Sequence, residues 1–472
     1  MGIKLTANVL FSGIGCQERG IEDSKLFDLD VITTSDINKE SILAYAAVHC
    51  GLTPELVETY TKYPPKEEMI KELTEKNIGY VPEKNKVYDW GKLAKKKGKE
   101  LEKYWLAVHL TNSAGDISKI ESLPYADLWT CSFPCTDISI AGKMKGLSPN
   151  AETRSSLLWE NIRLLKKAKE DGKAPKYILF ENVKNLVSKA FIKDFNSLLS
   201  VLEELGYNSY WKVLNAKDCG VPQNRERVFV VCIRKDIDKG KFEFPKPYDT
   251  GVRLKNILDL EVEEKYYISK AIQDRFKLTD KTFTKNTIGT TKCRDDAIGQ
   301  RDLVYNPNGI IGALTATDYK QPKQFMDIDQ AYIDNIDASK GFVKRKVQEL
   351  KDEKGKLPEL FNAYNKVEIE DYAPTLTTMC GSTTSSATVL KKDLYFRIRK
   401  LTPYECWKLM GFVSEDCKKA EDMGLAAGHL YKQAGNGIVT NCVELIMEHL
   451  YKAQYDEKYE CTDEFFKQPQ KV

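Results

Sequence analysis

The chain is organised around a stretch that reads Trp129-Thr-Cys-Ser-Phe-Pro-Cys-Thr-Asp-Ile-Ser-Ile-Ala-Gly142. It begins as an apolar strand and breaks into a loop, because Pro134 cannot continue the hydrogen-bonded ladder of a central strand. Cys135 follows the proline, and the carboxyl end of a strand in an α/β sheet is where such folds bind ligands. A lone cysteine is more often a buried structural residue than a nucleophile. The other stretches of the chain therefore have to decide between these two interpretations.

The composition is that of a large globular protein. The chain has 472 residues, of which 42% are hydrophobic and 30% are charged, and this length suggests two or three domains. No apolar run approaches the ~20 residues that a membrane-spanning helix needs. The N-terminus leads directly into a strand rather than into a cleavable signal. We therefore expect a cytoplasmic protein that does not bind a membrane.

The cysteines and the net charge exclude some classes of site. Twelve cysteines are scattered without the spacing of a disulfide framework. Cys131 and Cys135 are too far apart for a CxxC clasp, and the four histidines lie far from them in sequence. This pattern argues against a zinc site and favours reduced intracellular thiols, so we expect no metal. The formal net charge of +3 permits nucleic-acid binding without requiring it.

The N-terminal region has the pattern of a nucleotide-binding βαβ unit. Residues 7–20 predict a strand, a tight turn at Gly13 and Gly15, and a helix whose N-terminus offers free N–H groups. The next strand ends at Asp36, at the distance where an acidic residue accepts hydrogen bonds from a ribose. Alternatively, Asp36 is the N-cap of a helix over 39–49. Because the third glycine of the dinucleotide motif is missing, these features favour an adenosine-containing cofactor other than NAD.

Residues 51–110 interrupt the alternation of strands and helices. This segment is rich in Lys, Glu, Tyr and Pro, and we expect a surface insertion that contains short helices. Its basic run at 95–99 is better explained by a solvated helical face than by contacts with phosphates. The alternation resumes at Gly115-Asp116-Ile117, before the strand that leads to Cys135.

A second acidic group is predicted at the same sheet edge as Cys135. A buried strand ends in Glu181-Asn182-Val183, and parallel strands present their carboxyl ends on one edge. Arg225 and Arg227 alternate with Glu226, so both arginines would face one side of a strand. Such a pair suits recognition of a phosphate or a base, and an ion pair with Glu226 or a nearby acid also explains it. Between residues 157 and 233 the sequence predicts helices over 157–169 and 192–205. It predicts strands over 177–180, 210–214 and 228–233.

The alternation is lost between Phe242 and residue 395, where short β-like runs lie among glycines, prolines and threonines. We expect a separate domain there. Two of its stretches resemble each other, Gly312-Ala-Leu-Thr-Ala-Thr317 and Ala373-Pro-Thr-Leu-Thr-Thr378. The α/β pattern returns at Ile398. We then expect a helix over 401–412 with Thr402 as its cap and Pro403 at its first position, a tight loop over 433–440, a last helix over 441–453 and a charged, frayed tail from 456.

Taken in order, these motifs resemble those of the DNA (cytosine-5) methyltransferases, and the match covers nearly the whole chain. The motifs are Phe11-Ser-Gly-Ile-Gly15, Pro134-Cys135, Glu181-Asn182-Val183, Gln223-Asn-Arg-Glu-Arg227, a Thr-Leu-Thr element and Gly435-Asn-Gly-Ile438. Each motif is weak alone, but six of them in this order are very specific.

The resemblance implies an α/β fold, namely a Rossmann-like S-adenosylmethionine-dependent methyltransferase domain with an inserted, smaller, mostly β or irregular target-recognition domain. The implied divisions are a catalytic and cofactor-binding domain over 1–241, the target-recognition domain over 242–395, a segment over 396–455 that completes the catalytic domain, and the tail over 456–472. It also implies a prokaryotic or phage-encoded monomer that acts on double-stranded DNA, with a restriction endonuclease as a partner in the same system.

The resemblance further implies a reaction in which Cys135 adds to carbon 6 of a flipped-out cytosine. Glu181 would hydrogen-bond N3 and the exocyclic amine, and Arg227 would bind the O2 carbonyl with Arg225 supporting it nearby. For S-adenosylmethionine, the implied contacts are Phe11, Gly13 and Gly15 at the methionine part, Asp36 at the ribose, Ile37 and Ile117 at the adenine, Asp116 at its amine, and Leu157 and Asn436 closing the site.

The sequence departs from the family pattern in places. Thr136 stands where the family usually has Gln, so contacts near the flipped base differ. Two Thr-Leu-Thr-like elements occur where one is expected, and the spacing to Arg399 favours Thr375–Thr378. The alternative functions are a tRNA cytosine methyltransferase, which would have a smaller recognition region, and a non-catalytic DNA-binding relative, against which the intact catalytic motifs count. A thiol hydrolase is disfavoured because no histidine lies near the cysteine in sequence.

Overall fold

A computed structural model provides the fold. It describes residues 2–135, 138, 157–276, 284–292, 298–300, 302–328, 349, 352–353, 360–362, 367–368, 389–391 and 396–466. Thr136, the element at 373–378 and most of 329–395 lie outside these ranges. Within the ranges, no helix is long and apolar enough to cross a membrane.

The centre of the molecule is a six-stranded mixed sheet. In spatial order its strands are β2 (Phe27–Ser35), β1 (Ile3–Leu10), β3 (Leu128–Cys131), β4 (Tyr177–Val183), β7 (Glu226–Arg234) and β5 (Tyr207–Asn215), numbered along the chain. The first four strands are parallel, whereas β7 runs antiparallel to both of its neighbours. The residues that follow β3 and β4 therefore share one edge of the sheet, as the sequence predicts.

Helices cover both faces of this sheet, which confirms the α/β fold. Side chains of one strand alternate between two cores: Leu179 belongs to the first, whereas Ile178 and Phe180 belong to the second. The helices are α1 (Cys16–Asp23), α2 (Lys39–His49), α3 (Pro54–Thr59), α4 (Lys66–Glu75), α5 (Gly91–Ala94), α6 (Glu100–Leu110), α7 (Leu158–Glu170), α8 (Ile192–Glu204), α9 (Lys270–Gln273), α10 (Pro403–Lys408), α11 (Ser414–Asp422), α12 (Ala427–Asn436) and α13 (Thr440–Tyr455). Residues of α1, α2, α6 and α13 are buried in the first core, and residues of α7 and α8 in the second.

The segment 51–110, which the sequence predicts to be a surface insertion, is part of the first core. Within α6 a continuous run from Tyr104 to Val108 is buried, and this helix packs against α2. The expected helices are present. Because the segment as a whole is rich in charged residues, its composition did not indicate that α6 is apolar and buried. The lysines at 95–97 are exposed, as a solvated face requires.

The boundary expected at Phe242 is not a break in the core. Phe242 and Phe244 are fully buried in the first core, together with Tyr305 and Phe325. The short strands of this region and its surroundings are β6 (Gln223–Asn224), β8 (Thr287–Thr290), β9 (Leu303–Tyr305), β10 (Ile311–Gly312), β11 (Gln324–Ile328), β12 (Leu360–Asn362), β13 (Val367–Glu368), β14 (Val389–Lys391) and β15 (Phe396–Lys400). β10 pairs with β6, and β15 pairs with β11 in a four-stranded sheet. Part of 242–328 thus belongs to the first core, whereas Ile268, Val304 and Ile398 form a small separate cluster.

The helix expected after residue 400 begins as predicted, although it is shorter. Thr402 Oγ1 accepts from the N–H of Glu405 at 3.1 Å, and Glu405 Oε2 accepts from the N–H of Thr402 at 2.8 Å. This capping box, with Pro403 at the first position, starts α10. The expected loop over 433–440 is wrong for its first four residues, which end α12. Gly435 allows α12 to approach the Thr315 backbone closely, because a Cβ at this position would lie 2.2 Å from the Thr315 carbonyl.

The charged C-terminal tail does not fray before Phe466. The Glu243 carboxylate accepts hydrogen bonds from the Tyr459 hydroxyl at 2.7 Å and from the N–H of Asp463 at 2.7 Å. Phe466 is only 1% exposed and stacks near Phe244. These contacts join residues that are more than two hundred positions apart, so the local charge pattern could not predict them.

Candidate active site

Cys135 lies at the carboxyl edge of the sheet, just beyond the end of β3. Two amide side chains hold the loop that leads to it. Gln17 of α1 donates from Nε2 to Ser132 Oγ at 2.6 Å, and Asn182 at the end of β4 donates from Nδ2 to the Phe133 carbonyl at 2.9 Å. Asn182 is buried, and water therefore competes little for its hydrogen bond. The cysteine loop is thus fixed to two neighbouring elements.

Glu181 and Arg227 face each other beside this loop. Antiparallel pairing places Val183 opposite Arg227, and Arg227 Nε lies 3.2 Å from Glu181 Oε1. Burial raises the pKa of Glu181 above its usual range, and the positive charges of Arg227 and Arg225 oppose that shift. A carboxyl group in this position retains a proton more readily than an exposed one. The nearby acid that the sequence allowed as an arginine partner is therefore Glu181.

The same charges act on Cys135. Burial raises the pKa of its thiol, the Glu181 carboxylate raises it further, and the two arginines lower it. The side chain packs against the second core, as do Phe11 and Leu157. A partly buried thiol, a carboxyl group and a guanidinium thus meet at one place. The thiolate is the nucleophilic form of cysteine, so a bound group that stabilises negative charge would activate it.

Arg225 has different contacts from Arg227. Its buried guanidinium donates to the carbonyl oxygens of Leu314 at 2.8 Å, Gly435 at 3.1 Å and Gly437 at 2.6 Å. These contacts join the start of β7 to the segment after β10 and to the end of α12. The two arginines therefore do not present their guanidinium groups to a common ligand, and Arg225 acts on the site through position and charge.

The first of the two Thr-Leu-Thr-like elements lies next to Arg225. Gln223 Oε1 accepts from the N–H of Leu314 at 2.9 Å, and the Thr315 backbone touches α12 at Gly435. The second element at 373–378, which the spacing favours as the family motif, lies outside the described residues. In the described part of the chain, the first element is the one that contacts the site.

The turn after β1 has the backbone shape that its glycines predict. Phe11, Gly13 and Gly15 have positive φ angles of 59°, 56° and 82°. A Cβ at Gly13 would meet nothing within 4 Å, so the turn leaves open space there. A Cβ at Gly15 would lie 2.2 Å from His49 Nε2. Gly15 is therefore needed both for its left-handed conformation and for close packing.

Asp36 closes this turn from the end of β2. Its Oδ2 accepts from the N–H of Gly13 at 2.9 Å, and its Oδ1 accepts from the N–H of Asn38 at 2.7 Å. Asn38 caps α2, because its side chain accepts from the N–H of Ser41 at 2.9 Å. The alternative interpretation of Asp36 as the helix cap is therefore excluded. Each carboxylate oxygen keeps a lone pair for a further donor, such as a ribose hydroxyl.

The remaining predicted cofactor residues lie around the same edge. Ile117 is buried in the second core, against which Leu157 packs. Asp116 Oδ1 accepts from the N–H of Ser118 at 3.0 Å and caps a short 3-10 helix. Asn436 is exposed at the end of α12. Two carboxylates and an open turn suit a ligand with ribose hydroxyls and an exocyclic amine, so these residues fit S-adenosylmethionine.

Sequence reasoning missed residues that hold these groups in place. Asn77 donates from Nδ2 to Asp116 Oδ2 at 2.8 Å, and the N–H of Gly79 donates to the Ile37 carbonyl at 2.7 Å. Both contacts come from the segment that was expected on the surface. Gln17 has no sequence signal beyond its place in the first turn of α1. Contacts of this kind depend on the tertiary fold.

The cysteines that the structure describes are free thiols. No group of three or more His, Cys, Asp or Glu side chains in those ranges is arranged to hold a metal ion. Cys131 and Cys135 are both free thiols.

Comparisons of the sequence with known proteins give a consistent result. The profile of the C-5 cytosine-specific DNA methylase family matches residues 92–452. The Type II methyltransferase M2.ScrFI of Lactococcus lactis subsp. cremoris is 30% identical, over 94% of this chain and 98% of the relative. The orphan methyltransferase M.SssI of Spiroplasma monobiae is 32% identical, over 66% of this chain and 80% of the relative.

Among solved structures, the Entamoeba histolytica methyltransferase EhMeth aligns with 95% of this chain and 98% of its own, at 15% identity and a TM-score of 0.49. The sequence matches, rather than this likeness, carry the assignment. Because the family profile spans most of the chain and M2.ScrFI matches nearly all of it, the chain belongs to the C-5 cytosine-specific DNA methylase family.

Proposed function

We propose that this chain transfers a methyl group from S-adenosylmethionine to carbon 5 of a cytosine in a specific sequence of double-stranded DNA, with Cys135 as the nucleophile. The observation that carries the proposal is the meeting of Cys135, Glu181 and Arg227 at one sheet edge. The turn that fits the cofactor lies at the same edge. Membership of the family supports the same reaction.

Cys135 makes carbon 5 reactive by adding to the neighbouring carbon. Carbon 5 of cytosine is a poor nucleophile inside an aromatic ring. Addition of the thiolate to carbon 6 forms a C–S bond, breaks the aromaticity and yields an enamine that attacks through carbon 5. S-adenosylmethionine, when bound, would supply the methyl group to carbon 5 and leave as S-adenosylhomocysteine. Loss of the proton from carbon 5 then expels the thiolate, and Cys135 is regenerated.

Glu181 and Arg227 stabilise the charge that this addition creates. Burial favours the protonated form of Glu181, so the group can share a proton with N3 as electron density moves there. Arg227 donates to O2 of the ring. The two side chains are in contact at 3.2 Å, and an entering base has to replace that contact. The edge of cytosine that carries O2, N3 and the amine offers acceptors and donors in the required order.

The target base has to leave the helix before Cys135 can reach it, because the ring is stacked on both faces inside a duplex. The same groups could attack a cytosine in tRNA. An assay therefore has to distinguish DNA from tRNA as the substrate. Transfer of a labelled methyl group to duplex DNA, to tRNA and to a blank without nucleic acid separates DNA methylation from tRNA methylation and from a non-catalytic protein. We expect transfer to duplex DNA alone.

The assignment of Cys135 is tested by Cys135→Ser and a trapping substrate. The variant should lose turnover and keep cofactor binding, because serine is a far weaker nucleophile of similar size. Wild-type protein should form a covalent complex with duplex DNA that contains 5-fluorocytosine, since fluorine blocks the final loss of the proton; the variant should form none. Cys50→Ser, at another partly buried cysteine, is the control and should stay active. Robust methylation by Cys135→Ser would contradict the proposal.

We also propose that residues 242–395 choose the DNA sequence, and that the determinants lie within 329–395. Within 242–328, Phe242, Phe244, Tyr305 and Phe325 are buried in the first core. In the pairing of β11 with β15, Ile328 lies opposite Phe396, so a graft of 329–395 can leave both strands intact. Replacing this segment with that of a relative should transfer the relative's site, as sequencing of methylated cytosines in host DNA would show. An active chimera that keeps the original site would place the determinants elsewhere.

The proposed partners are double-stranded DNA and a restriction endonuclease of the same system. M2.ScrFI is named a Type II methyltransferase, which supports such a pairing, whereas M.SssI is named an orphan methyltransferase. We expect the enzyme to sediment as a monomer. DNA from a host that expresses the enzyme should resist the endonuclease that cuts the same sequence when it is unmethylated. Cleavage as fast as that of unmethylated DNA would contradict the pairing.

A further inference from the structure

The turn that ends α4 lies against both loops of the proposed cofactor site. The N–H of Gly79 donates to the Ile37 carbonyl at 2.7 Å, and the N–H of Asp116 donates to the Lys76 carbonyl at 3.0 Å. A Cβ at Gly115 would lie 2.2 Å from the same Lys76 oxygen. The absence of a side chain at Gly115 therefore allows this close approach. Segment 51–110 is thus in direct contact with the adenine side of the site.

Asn77 occupies the left-handed position of this turn, with a φ of 56°. The N–H of Ile78 donates to the Leu73 carbonyl at 2.9 Å, and the N–H of Asn77 donates to the Thr74 carbonyl at 3.0 Å. These bonds form a Schellman motif, where glycine is the commonest residue at the left-handed position and asparagine is tolerated. Ending the helix does not by itself require the Asn77 amide.

The Asn77 amide is engaged with the residues that follow Gly115. Its Nδ2 donates to Asp116 Oδ2 at 2.8 Å, and its Oδ1 accepts from Lys119 Nζ at 3.0 Å. The other oxygen of Asp116 accepts from the N–H of Ser118 at 3.0 Å and from its hydroxyl at 2.8 Å. The carboxylate is therefore held from two sides. Oδ2 accepts only from Asn77 and keeps a lone pair, so the carboxylate can accept a further donor without losing these bonds.

We propose that Asn77 is a positioning residue that fixes the Asp116 carboxylate so that it accepts a hydrogen bond from the amine of the adenine ring. This inference rests on the proposed function, in which Asp116 lies at that amine. It gives segment 51–110 a part in cofactor binding: the turn after α4 fixes the residues that contact adenine. The effect of Asn77 should then be confined to ligands that carry the exocyclic amine.

The test compares two ligands on the purified full-length protein without DNA. S-adenosylhomocysteine carries the amine, whereas S-inosylhomocysteine has a carbonyl oxygen in its place. Calorimetric titration of wild type should show a preference for the adenine ligand of about tenfold or more, the difference typical of a hydrogen bond to a charged group. Asn77→Gly keeps the left-handed conformation and removes the amide. It should weaken adenine-ligand binding by roughly three- to tenfold, the loss typical of one neutral hydrogen bond, and leave the inosine ligand unchanged.

Matched variants separate positioning from folding. Asn85→Gly removes another asparagine with positive φ, in the same segment, whose side chain accepts from the Tyr80 hydroxyl at 2.8 Å; it should leave both affinities unchanged. Asp116→Ala should abolish the preference. Equal weakening of both ligands by Asn77→Gly, or an unchanged preference, would overturn the inference. If wild type bound neither ligand, the cofactor assignment itself would fail, which is a different result.

Discussion

The two halves of the site are held by different means. At the catalytic edge, which comprises the loop 132–135 and the end of β4, side-chain amides of Gln17 and Asn182 hold the chain. At the cofactor edge, which comprises the turn 11–15 and its neighbours, polar side chains such as Asp36 act together with the shape of the backbone, which has positive φ angles and contacts too close for a Cβ. Both edges should therefore be sensitive to lost polar groups, and the cofactor edge also to added methyl groups.

The largest expected effect lies at the catalytic edge and concerns Glu181, which the proposed reaction uses. Glu181→Gln keeps a hydrogen-bond donor for N3 but cannot exchange a proton, so the methyl-transfer rate should fall by roughly 10²–10⁴-fold while base flipping persists. Single-turnover methylation measures the methyl-transfer rate, and 2-aminopurine fluorescence at the target measures base flipping. Glu226→Gln, at an exposed glutamate that pairs with Lys184 at 2.9 Å, is the control. A nearly wild-type rate in the Glu181 variant would mean that Glu181 only positions the base.

The sensitivity of the cofactor edge to volume is tested by two neighbouring glycines. Gly15→Ala forces a Cβ against His49 in a left-handed conformation and should lower the free energy of unfolding by about 2–5 kcal/mol. Gly13→Ala adds the conformational strain alone, because its surroundings are open, and should cost about 1–2 kcal/mol. Urea unfolding of both variants gives the comparison. Equal losses would show that packing against His49 is unimportant.

A smaller effect is expected when the catalytic edge loses an amide. Asn182→Ala removes the donor to the Phe133 carbonyl, which should cost about 1–3 kcal/mol of stability and lower the methyl-transfer rate, because the cysteine loop loses a support. Asn208→Ala, at the opposite end of the sheet, removes a donor to Asp238 Oδ2 at 2.7 Å. It should reduce stability and leave the rate per folded molecule unchanged. If both variants kept that rate, the amide would not position Cys135.

An effect on stability alone, and one that depends on pH, is expected from a buried acid that the proposed reaction does not use. Burial raises the pKa of Glu18, on α1 between the two edges, to about 8. The folded state thus keeps a proton that the unfolded state releases above about pH 4.5, and stability should fall between pH 4.5 and 8 by up to about 1.4 kcal/mol per unit. Glu18→Gln should therefore gain stability over wild type along this range, as thermal unfolding from pH 5 to 8 would measure. A difference that does not change with pH would contradict the raised pKa of Glu18.

Local patterns in the sequence predicted much of the fold. The helix over 39–49 is confirmed at both ends, and Thr402 caps its helix as its spacing to Glu405 requires. The order of strands and helices up to residue 234 also follows the predicted alternation. These features depend on hydrophobic period and capping chemistry, which act over a few residues.

The features that were missed depend on contacts between distant residues. Gly435 ends a helix instead of forming a loop, since its neighbour is Thr315, and the tail is ordered because Glu243 binds it. Asn77 contacts Asp116 only because the segment between them folds back onto the sheet. At the site, the sheet order could be anticipated from the motifs, whereas the residues that support the reacting groups could not.

The three carbonyls bound by Arg225 have a consequence for the nascent protein. Gly437 is made 212 residues after this arginine, which at ~5–20 residues per second is a delay of about 10–40 s during synthesis. Until then the guanidinium lacks acceptors that it needs in order to be buried, and an unpaired buried charge is strongly unfavourable. Arg225 therefore gains its full set of acceptors only after α12 has been made, when the protein is almost complete.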